Sequence, residues 1–295
     1  INNFVLRRKP PGKLLKSAHA VDRECRVMTA LHDTDVPVPE TFGYCDDETV
    51  IGTSFFIMDH VIGNIYWELL LPGCDPNQRR EIYLSMNDTI AKLHNVDFDK
   101  VNLADYGKHE NYMDRQIHRW TKQYKDSETQ MIPEINELIE WLPKNIPSDQ
   151  ETTIVHGDFR LDNMIFDPIT HEVKAILDWE LSTLGNPIAD FTYHMMSWRL
   201  PAGAKGLGMM GSDLKSLNIP SENEYAELYY KKTGREKIDN WDFYMAYNIF
   251  RLAGIAQGIV GRVRDGTASS SEAKNYEAFV PILGKLGWSI VEGIK

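Results

Sequence analysis

Residues 154–166 read IVHGDFRLDNMIF, in which a polar loop lies between two short apolar runs. The loop contains a His-Gly-Asp triplet ending at Asp158, and Asn163 follows five residues later. The apolar runs predict two short strands, so the polar side chains would project from the connection between them. A carboxylate, an amide and an imidazole this close together indicate either a cation site or a catalytic loop.

Two metal-binding interpretations of this loop fail. In a calcium loop that starts at Asp158, the sixth position would be Asn163 where a glycine is needed, and the twelfth would be Ile169 where a glutamate is needed. A structural zinc site normally includes thiolate ligands, and the loop contains no cysteine. The sequence therefore argues against calcium and against structural zinc.

Phosphoryl transfer agrees better with the spacing. Asp158 and Asn163 are separated as in the HRDxxxxN loop of protein kinases, and Asp178 follows in ILDWE at the end of the next predicted strand. This chemistry requires one carboxylate to accept the proton of the acceptor hydroxyl. It also requires an amide oxygen and a second carboxylate to hold Mg²⁺ against the phosphates. The three side chains occur in that order.

Composition limits the class of protein. The chain has 295 residues, is 42% hydrophobic and 25% charged, and carries a formal net charge of −11. These values are typical of a soluble globular protein with two lobes or one large domain. The negative charge opposes binding to a phosphate backbone, so we expect no nucleic-acid partner.

Cysteine usage and hydropathy suggest where the protein resides. Cys25, Cys45 and Cys74 are odd in number and form no CxxC pair, which favours a reducing compartment and a cytoplasmic location. The apolar run at residues 250–260, FRLAGIAQGIV, is about half of what a bilayer crossing needs, and it contains Arg251. We therefore expect no membrane segment.

The order of predicted elements indicates an α+β fold with two lobes. Apolar alternation and β-branched residues predict strands at residues 4–8 and 53–58, and residues 59–63 read as a connector. Helical periodicity follows at several places: residues 19–33, 79–94, 112–124, 133–142 and from 188 onward. The expected domains are a small β-rich N-lobe at residues 1–62 and a larger, mainly helical C-lobe at residues 63–295.

HGDFRLDN followed by ILDWE resembles the aminoglycoside phosphotransferase and choline kinase superfamily, whose fold is similar to that of protein kinases. The resemblance covers essentially the whole chain. It is closest to the kinase-like branch associated with acyl-CoA dehydrogenases, on the stretches FVLRRKPPGKLL, AHAVDRE and DRQIHRW. The resemblance implies a two-lobed, ATP- and Mg²⁺-dependent phosphotransferase with a functional link to an acyl-CoA dehydrogenase.

The resemblance also assigns roles within the loop. It implies that Asp158 is the catalytic carboxylate and that Asn163 and Asp178 are the Mg²⁺ ligands. Arg160 occupies the position of a lysine that binds the γ-phosphate in protein kinases. Asp190, in GNPIAD, matches a buried aspartate that holds the catalytic loop.

The N-lobe supplies the expected nucleotide contacts. Strand alternation puts Val5 and Arg7 on one face, matching the Ala and Lys positions of the kinase VAIK strand, so Arg7 is the expected phosphate-binding residue and Glu24 its helix partner. The connector after the second strand is expected to contact the nucleotide through Asp59, His60 and Val61. The chain begins without Met, and the glycine-rich turn of this fold is expected upstream of Ile1. The formal GxGxxG match at residues 206–211 lacks the strand and helix context of a phosphate loop.

The acceptor is suggested by the helix at residues 112–124. Arg115, Arg119 and Lys122 recur at helical spacing, and a basic face in an acidic protein favours an anionic acceptor. The alternative interpretation is that this face is an ordinary solvated surface without a role in acceptor binding. Its basic side chains would then pair with nearby acidic residues: Asp114, Asp126 and Glu128. The branch resemblance implies that the acceptor is a hydroxyacyl-CoA or a related hydroxyacid.

Three functions remain open at this point. The first is phosphorylation of a hydroxyl group on an anionic small molecule, and the second is an aminoglycoside or other antibiotic phosphotransferase. The third is a non-catalytic, pseudokinase-like binding module, which the intact Asp158, Asn163 and Asp178 disfavour. Glu180 either contributes to the metal and substrate site or only hydrogen-bonds the loop.

Overall fold

In the computed structural model, which describes residues 3–9, 20–148, 151–203, 206–237, 239–266 and 276–294, tertiary contacts divide the chain into two units. Unit 1 comprises Ile1–Lys108, Thr153–Asp190 and Ser197–Lys237. Unit 2 comprises His109–Thr152, Phe191–Met196 and Ile238–Lys295. The lobe boundary at residue 62 stays a prediction, and residues 10–15 of the FVLRRKPPGKLL stretch lie outside the described residues.

Unit 1 begins with a small antiparallel sheet. Its strands are β1 (Phe4–Arg8), β2 (Thr41–Cys45) and β3 (Phe55–Asp59), in the spatial order β1-β3-β2. The first strand lies where the sequence predicts it, and β3 is displaced by one or two residues from the predicted range. A short helix, α2 (Glu48–Ile51), connects β2 to β3.

Helix α1 (Val21–Leu31) follows β1 and buries one face. Val21, Met28 and Leu31 recur at helical spacing and are almost fully buried. Glu24 lies on the same face and is only 3% exposed. A buried carboxylate must be paired, so the position of Glu24 predicts a cationic partner.

Helix α3 (Pro76–His94) starts at a capping box. The Asp75 side chain accepts hydrogen bonds from the Asn77 and Gln78 backbone N–H groups, and the Gln78 side chain accepts one from Asp75 N. Helix α8 (Glu222–Thr233), which Ser221 caps, packs against α3 through the buried ring of Tyr225. A four-residue helix, α7 (Leu214–Leu217), precedes it.

Two pairs of short strands flank the polar loops of unit 1. Strand β4 (Thr153–Val155) pairs with β7 (Thr183–Gly185), and β5 (Met164–Phe166) pairs with β6 (Val173–Ile176), both antiparallel. The stretch at residues 156–163, which we call the HGD loop, therefore connects β4 to β5 as predicted. Residues 177–182, which we call the Asp178 turn, connect β6 to β7. Strand β7 was not predicted from the sequence.

The connector after β3 is fixed to the strand that follows the HGD loop. Asn64 and Phe166 exchange two backbone hydrogen bonds of 2.8 Å each. A Cβ atom at Gly63 would overlap the Phe166 carbonyl oxygen, so only glycine permits this approach. The end of β3 and the HGD loop are thereby attached to one another through β5.

Unit 2 is helical. It contains α4 (Tyr112–Ser127), α5 (Pro133–Trp141), α9 (Trp241–Arg264) and α10 (Phe279–Ile294), and α6 (Pro187–Met195) crosses the division between the units. Helix α9 packs closely against α4 because Gly261 faces Ser127 without a side chain between them. The apolar run FRLAGIAQGIV lies within α9. In the described part of the chain, no helix is both long and apolar enough to cross a membrane.

Within the described residues, the GLGMMG run at residues 206–211 contains no helix and ends three residues before the short helix α7. Met209 N donates to Ser197 O at 2.8 Å, and Met210 N donates to Leu200 O at 2.9 Å. The Met209 side chain is fully buried. The run is thus attached to residues 197–202 of unit 1 and lacks the strand-to-helix context of a phosphate-binding loop.

Candidate active site

The HGD loop turns sharply at Gly157, whose φ is +83°. A Cβ atom there would lie 2.7 Å from the Leu181 carbonyl oxygen, so a side chain is excluded both by conformation and by space. The loop backbone therefore lies directly against the Asp178 turn.

Asp190, at the start of helix α6, holds the loop backbone. Its two carboxylate oxygens accept hydrogen bonds from His156 N and Gly157 N, each at 2.8 Å. The side chain is almost completely buried. The role that the resemblance implies for Asp190, holding the loop, matches these contacts.

A third donor to Asp190 comes from helix α3. His94 Nε2 lies 3.2 Å from Asp190 Oδ2, and His94 Nδ1 lies 2.7 Å from the Tyr229 hydroxyl. A carboxylate can only accept, so His94 Nε2 carries the hydrogen of its contact with Asp190. Burial opposes ionisation of Asp190, but the hydrogen bonds from His94 and His156 outweigh it and lower the pKa of Asp190 below its ordinary value.

His156 connects the loop to the Asp178 turn. Its Nδ1 accepts from Asp158 N at 3.2 Å, and its Nε2 donates to Leu177 O at 3.0 Å. In return, Leu177 N donates to Asn163 O at 2.8 Å. The ring is fully buried, so it orients the backbone rather than exchanging protons with a substrate.

Asp158 and Asn163 lie side by side at the end of the loop. Asn163 Nδ2 donates to Asp158 O at 2.9 Å and to Asp158 Oδ2 at 3.2 Å. These bonds orient the amide so that Oδ1 is left as its acceptor atom. The Asp158 carboxylate is 21% exposed and can be reached by a small molecule.

Asp178 adopts a strained conformation. Its φ and ψ are 62° and 56°, a left-handed region that a residue other than glycine enters at a cost. The carboxylate is 40% exposed and lies 3.3 Å from Arg7 Nη2. Such strain at an exposed polar side chain is a feature of functional sites.

The donor set fits a hard cation. Among the described residues, no group of three or more His, Cys, Asp or Glu side chains is arranged to hold a metal ion by itself. Mg²⁺ commonly binds through one or two carboxylates together with substrate phosphates and water. The Asp178 carboxylate and the oriented Asn163 amide oxygen supply that kind of partial site.

Arg7 and Glu24 form the predicted pair. Arg7 Nε and Nη2 donate to the two Glu24 carboxylate oxygens, both at 3.1 Å. Burial raises the pKa of Glu24 despite the opposing effect of the guanidinium. For Arg7, burial is outweighed by Glu24, Asp178 and Glu180, which raise the pKa of Arg7 above its ordinary value. The guanidinium is 37% exposed and lies within the field of all three carboxylates.

Arg160 lies beside the carboxylates of its own loop. Its Nη2 donates to Asp162 Oδ2, and its Nε lies 3.5 Å from Asp158 Oδ1. A positive charge is therefore positioned next to Asp158, and the predicted contact of Arg160 with a phosphate group stays a prediction.

The three connector residues lie at the end of β3. Asp59 N donates to Glu40 O at 2.9 Å and His60 N donates to Asn3 O at 3.3 Å, so both are held by the sheet. Val61 N–H makes no hydrogen bond within the described residues. Their predicted contacts with a nucleotide stay predictions.

The basic residues of α4 belong to unit 2. Arg115 is half-buried, whereas Arg119 is exposed and its Cζ lies 5.2 Å from the centre of the Trp120 ring. Lys122 forms an ion pair with Asp126, as the solvated-face interpretation expects. The predicted acceptor contacts of Arg115 and Arg119 stay predictions.

Several residues of the site were not identified from the sequence. They are His94 and three residues that connect α1 to the Asp178 turn: Arg23, Tyr106 and Ser182. Their partners are 76 to 159 residues apart in the chain, and an isolated arginine or hydroxyl carries no spacing signal.

We predict that Asp190→Asn lowers the free energy of unfolding by about 3 kcal/mol at neutral pH, because hydrogen bonds to a buried charge are lost and an amide donor faces backbone N–H groups. The folded pKa is lower than the ordinary value of 3.8, so ionised Asp190 stabilises the fold above pH 3.8, and this stabilisation is lost as pH falls through the folded pKa. Urea unfolding of wild type and variant at neutral pH and below pH 3.8 should show the difference shrinking in acid.

Asp88→Asn is the matched control. Asp88 is a half-exposed carboxylate that pairs with Lys92 and Lys232, and solvent screens such pairs. If Asp190→Asn were no more destabilising at neutral pH than Asp88→Asn, the role assigned to Asp190 would be wrong.

Comparison with known proteins agrees with this geometry. The sequence profile of the phosphotransferase enzyme family matches residues 2–227. A Ralstonia eutropha crystal structure, described as a candidate aminoglycoside phosphotransferase, is 48% identical and superposes with a TM-score of 0.92 over 98% of this chain and 86% of that one. A Streptomyces rimosus aminoglycoside phosphotransferase solved with ADP and streptomycin shares the fold at 15% identity, with a TM-score of 0.52 over 84% of this chain and 86% of that one.

The curated relatives are longer proteins. Mouse acyl-CoA dehydrogenase family member 10 is 46% identical over 286 residues, which are 97% of this chain and 27% of that protein. This chain thus spans about a quarter of the relative's length. Since the family profile covers most of the chain and the polar loops have the kinase-like arrangement, this protein belongs to the phosphotransferase enzyme family, with an α+β, kinase-like fold.

Proposed function

We propose that this protein is an ATP-dependent phosphotransferase that phosphorylates a hydroxyl group of an anionic small molecule, a hydroxyacid or a hydroxyacyl-CoA. The observation that carries the proposal is the arrangement in unit 1, where Asp158, Asn163 and Asp178 are fixed together and Arg7 is aimed at Asp178 by Glu24. These are the parts that phosphoryl transfer to a hydroxyl requires.

Asp158 is the proposed proton acceptor. Its carboxylate is 21% exposed, and the Asn163 amide donates to Oδ2, which orients the carboxylate. Asn163 and Asp178 would hold Mg²⁺, which would neutralise negative charge on the phosphate groups. The role of the chain is to hold these oxygens at fixed positions, because catalysis of this reaction depends mainly on positioning and electrostatics.

Arg7 and Arg160 are the proposed phosphate-binding cations. Arg7 donates to Glu24 through Nε and Nη2, and the same Nη2 also donates to Asp178. The guanidinium is 37% exposed, and its Nη1 group is the donor proposed to bind a phosphate oxygen. Arg160 carries a second positive charge next to Asp158. The connector at Asp59, His60 and Val61 is the proposed nucleotide base contact.

The anionic acceptor is supported by two observations. Helix α4 presents Arg115 and Arg119 in a chain of net charge −11, and cationic aminoglycosides would be repelled by such a face. The similarity to acyl-CoA dehydrogenase family member 10 favours an acyl-CoA-related acid. A cytoplasmic location and a functional link to an acyl-CoA dehydrogenase belong to the same proposal.

An aminoglycoside acceptor is the second candidate. It is favoured by the description of the Ralstonia relative and by the streptomycin complex of the Streptomyces enzyme. A screen of ATP consumption against hydroxyacyl-CoAs, free hydroxyacids, choline and aminoglycosides separates the two candidates. A pseudokinase-like module would bind nucleotide and consume none with any acceptor.

We predict that Asp158→Asn lowers the rate of phosphoryl transfer by about 10²- to 10⁴-fold, because the proton acceptor is lost, while Mg-nucleotide binding is retained. Turnover is measured by coupled ADP release and nucleotide binding by calorimetry. Asp167→Asn, a turn carboxylate just beyond β5, is the control and should retain wild-type turnover. Near wild-type turnover of Asp158→Asn would contradict the assignment.

We predict that Asp178→Ala abolishes the Mg²⁺ dependence of ATP affinity, because it removes the charged ligand of a hard cation. The measurement is a calorimetric titration of ATP at several Mg²⁺ concentrations. An unchanged Mg²⁺ dependence would show that the metal ligands lie elsewhere.

We predict that Arg115→Glu and Arg119→Glu each raise the KM of an anionic acceptor by about tenfold, an energy of ~1.4 kcal/mol, and leave the KM of ATP nearly unchanged. Lys125→Glu makes the same charge change on α4 at a residue engaged with Glu128 and Asn136, and it should have little effect. Indifference of the acceptor KM to both arginine reversals, or efficient turnover of aminoglycosides, would rule out the anionic acceptor.

A further inference from the structure

We propose that Arg23, Tyr106 and Ser182 are positioning residues that fix helix α1 to the Asp178 turn, and thereby set the spacing between the Arg7–Glu24 pair and Asp178. We call them the Arg23–Tyr106–Ser182 network. The inference rests on the proposed function, because it concerns how the phosphate-binding residue Arg7 and the metal ligand Asp178 are kept at a fixed distance from one another.

Arg23 supplies the contact from α1. Its Nη2 donates to Tyr106 O at 2.7 Å and to Ser182 O at 3.3 Å. Its Cζ also lies 4.1 Å from the centre of the Tyr106 ring, in a cation–π contact. Arg23 directly precedes Glu24, so the residue that binds the turn and the residue that binds Arg7 share one rigid turn of helix.

Tyr106 and Ser182 supply the contact to the turn. The Tyr106 hydroxyl lies 2.6 Å from Ser182 Oγ and 3.2 Å from Arg23 O, and Ser182 Oγ lies 2.6 Å from Trp179 O. The two hydroxyl groups have only two hydrogens for these three contacts, so the hydrogen-bonding states of Tyr106 and Ser182 depend on one another. Tyr106 is fully buried, which makes each of these bonds sensitive to small displacements.

The network spans both sides of the phosphate site. Trp179, whose carbonyl it binds, directly follows Asp178. A shift of the turn relative to α1 would break the bonds of Arg23 and Tyr106. It would also separate Arg7, held 3.1 Å from Glu24, from Asp178 at 3.3 Å. The strained backbone of Asp178 therefore has a nearby set of contacts that keeps it in place.

Backbone packing next to the network provides an independent observation. Gly107 follows Tyr106, and a Cβ atom there would lie 2.7 Å from Leu184 N and overlap Thr183 Oγ1. The backbones at residues 106–107 and 182–184 are thus in direct contact, and only glycine permits it. One turn further along α1, Arg26 pairs with Asp105 and donates to Asn102 O at 3.0 Å. The segment before Gly107 is therefore attached to α1 at two successive turns.

The network uses polar side chains, although apolar side chains would be sufficient if packing were its only role. Phe and Ala at the Tyr106 and Ser182 positions would fill nearly the same volume without a buried hydroxyl to satisfy. Hydrogen bonds depend on orientation, so they fix the relative position of the two separate elements from which the site is assembled. We therefore expect the kinetic effect of losing the hydroxyls to exceed their effect on stability.

Tyr106→Phe and Ser182→Ala test the inference, since the first keeps the ring and both remove one hydroxyl. Each should weaken Mg-ATP binding and lower kcat/KM for ATP by about tenfold, with the acceptor KM unchanged. The effect of the double variant should be smaller than the sum of the two single effects, because the two substitutions remove one hydrogen bond in common. Ser182→Thr keeps the hydroxyl, so its Mg-ATP affinity and its kcat/KM for ATP should equal those of the wild type.

Tyr83→Phe is the matched control. Tyr83 is also buried in unit 1, and its hydroxyl donates to Leu69 O at 2.7 Å outside the network. Removal of the Tyr83 hydroxyl should lower the melting temperature about as much as Tyr106→Phe does. The Mg-ATP dissociation constant and kcat/KM for ATP should stay at wild-type values. If Tyr106→Phe and Ser182→Ala behaved like this control, or if their kinetic effects were fully additive, the inference would be overturned.

Nucleotide binding distinguishes failure of this inference from failure of the proposed function. If wild type binds Mg-ATP and phosphorylates no acceptor, the proposed function is wrong, and the Mg-ATP dissociation constants of the variants still decide the inference. If wild type binds no nucleotide, the inference is overturned together with the function.

Discussion

The site depends on one buried charge. Asp190 is 2% exposed, and its carboxylate is stabilised by two backbone N–H groups and by His94. Removing a carboxylate from water is costly unless its oxygens are satisfied, so the His156–Gly157 backbone and the end of α3 must meet at this point. That requirement fixes the conformation of the HGD loop, and with it the positions of Asp158 and Asn163.

From the loop, a chain of polar contacts extends to the remaining parts of the site. His156 binds the carbonyl of Leu177 and so positions the Asp178 turn, where Arg7 meets Asp178. Arg7 brings a single guanidinium into the field of three carboxylates, in a protein of net charge −11. An excess of negative charge at this place suits a cation and its phosphate ligands, and it explains why the arginine is held from one side by a buried glutamate.

The residues proposed to bind phosphate and the residues proposed to bind the acceptor differ in how many hydrogen bonds fix them. The residues proposed to handle phosphate lie in unit 1 and are joined to one another by hydrogen bonds between 2.8 and 3.3 Å. The basic residues proposed for the acceptor lie on a helix of unit 2, where Lys122 is already paired with an acid. Family membership fits this contrast, because a conserved chemistry can be combined with different acceptor surfaces.

The sequence by itself determined what is local or periodic: the Asp158–Asn163 spacing, the strands that flank the HGD loop, the burial face of α1, and the Arg7–Glu24 pair, which strand alternation and a family pattern together predict. Tertiary structure alone decided the His94–Asp190–Tyr229 contacts, strand β7 and the Arg23–Tyr106–Ser182 network. The His94 contacts and the contacts among Arg23, Tyr106 and Ser182 join residues that are 76 to 159 positions apart in the chain. A single histidine, tyrosine or serine has no periodicity, and its partner is chosen only when packing brings distant segments together and burial requires each polar atom to be satisfied.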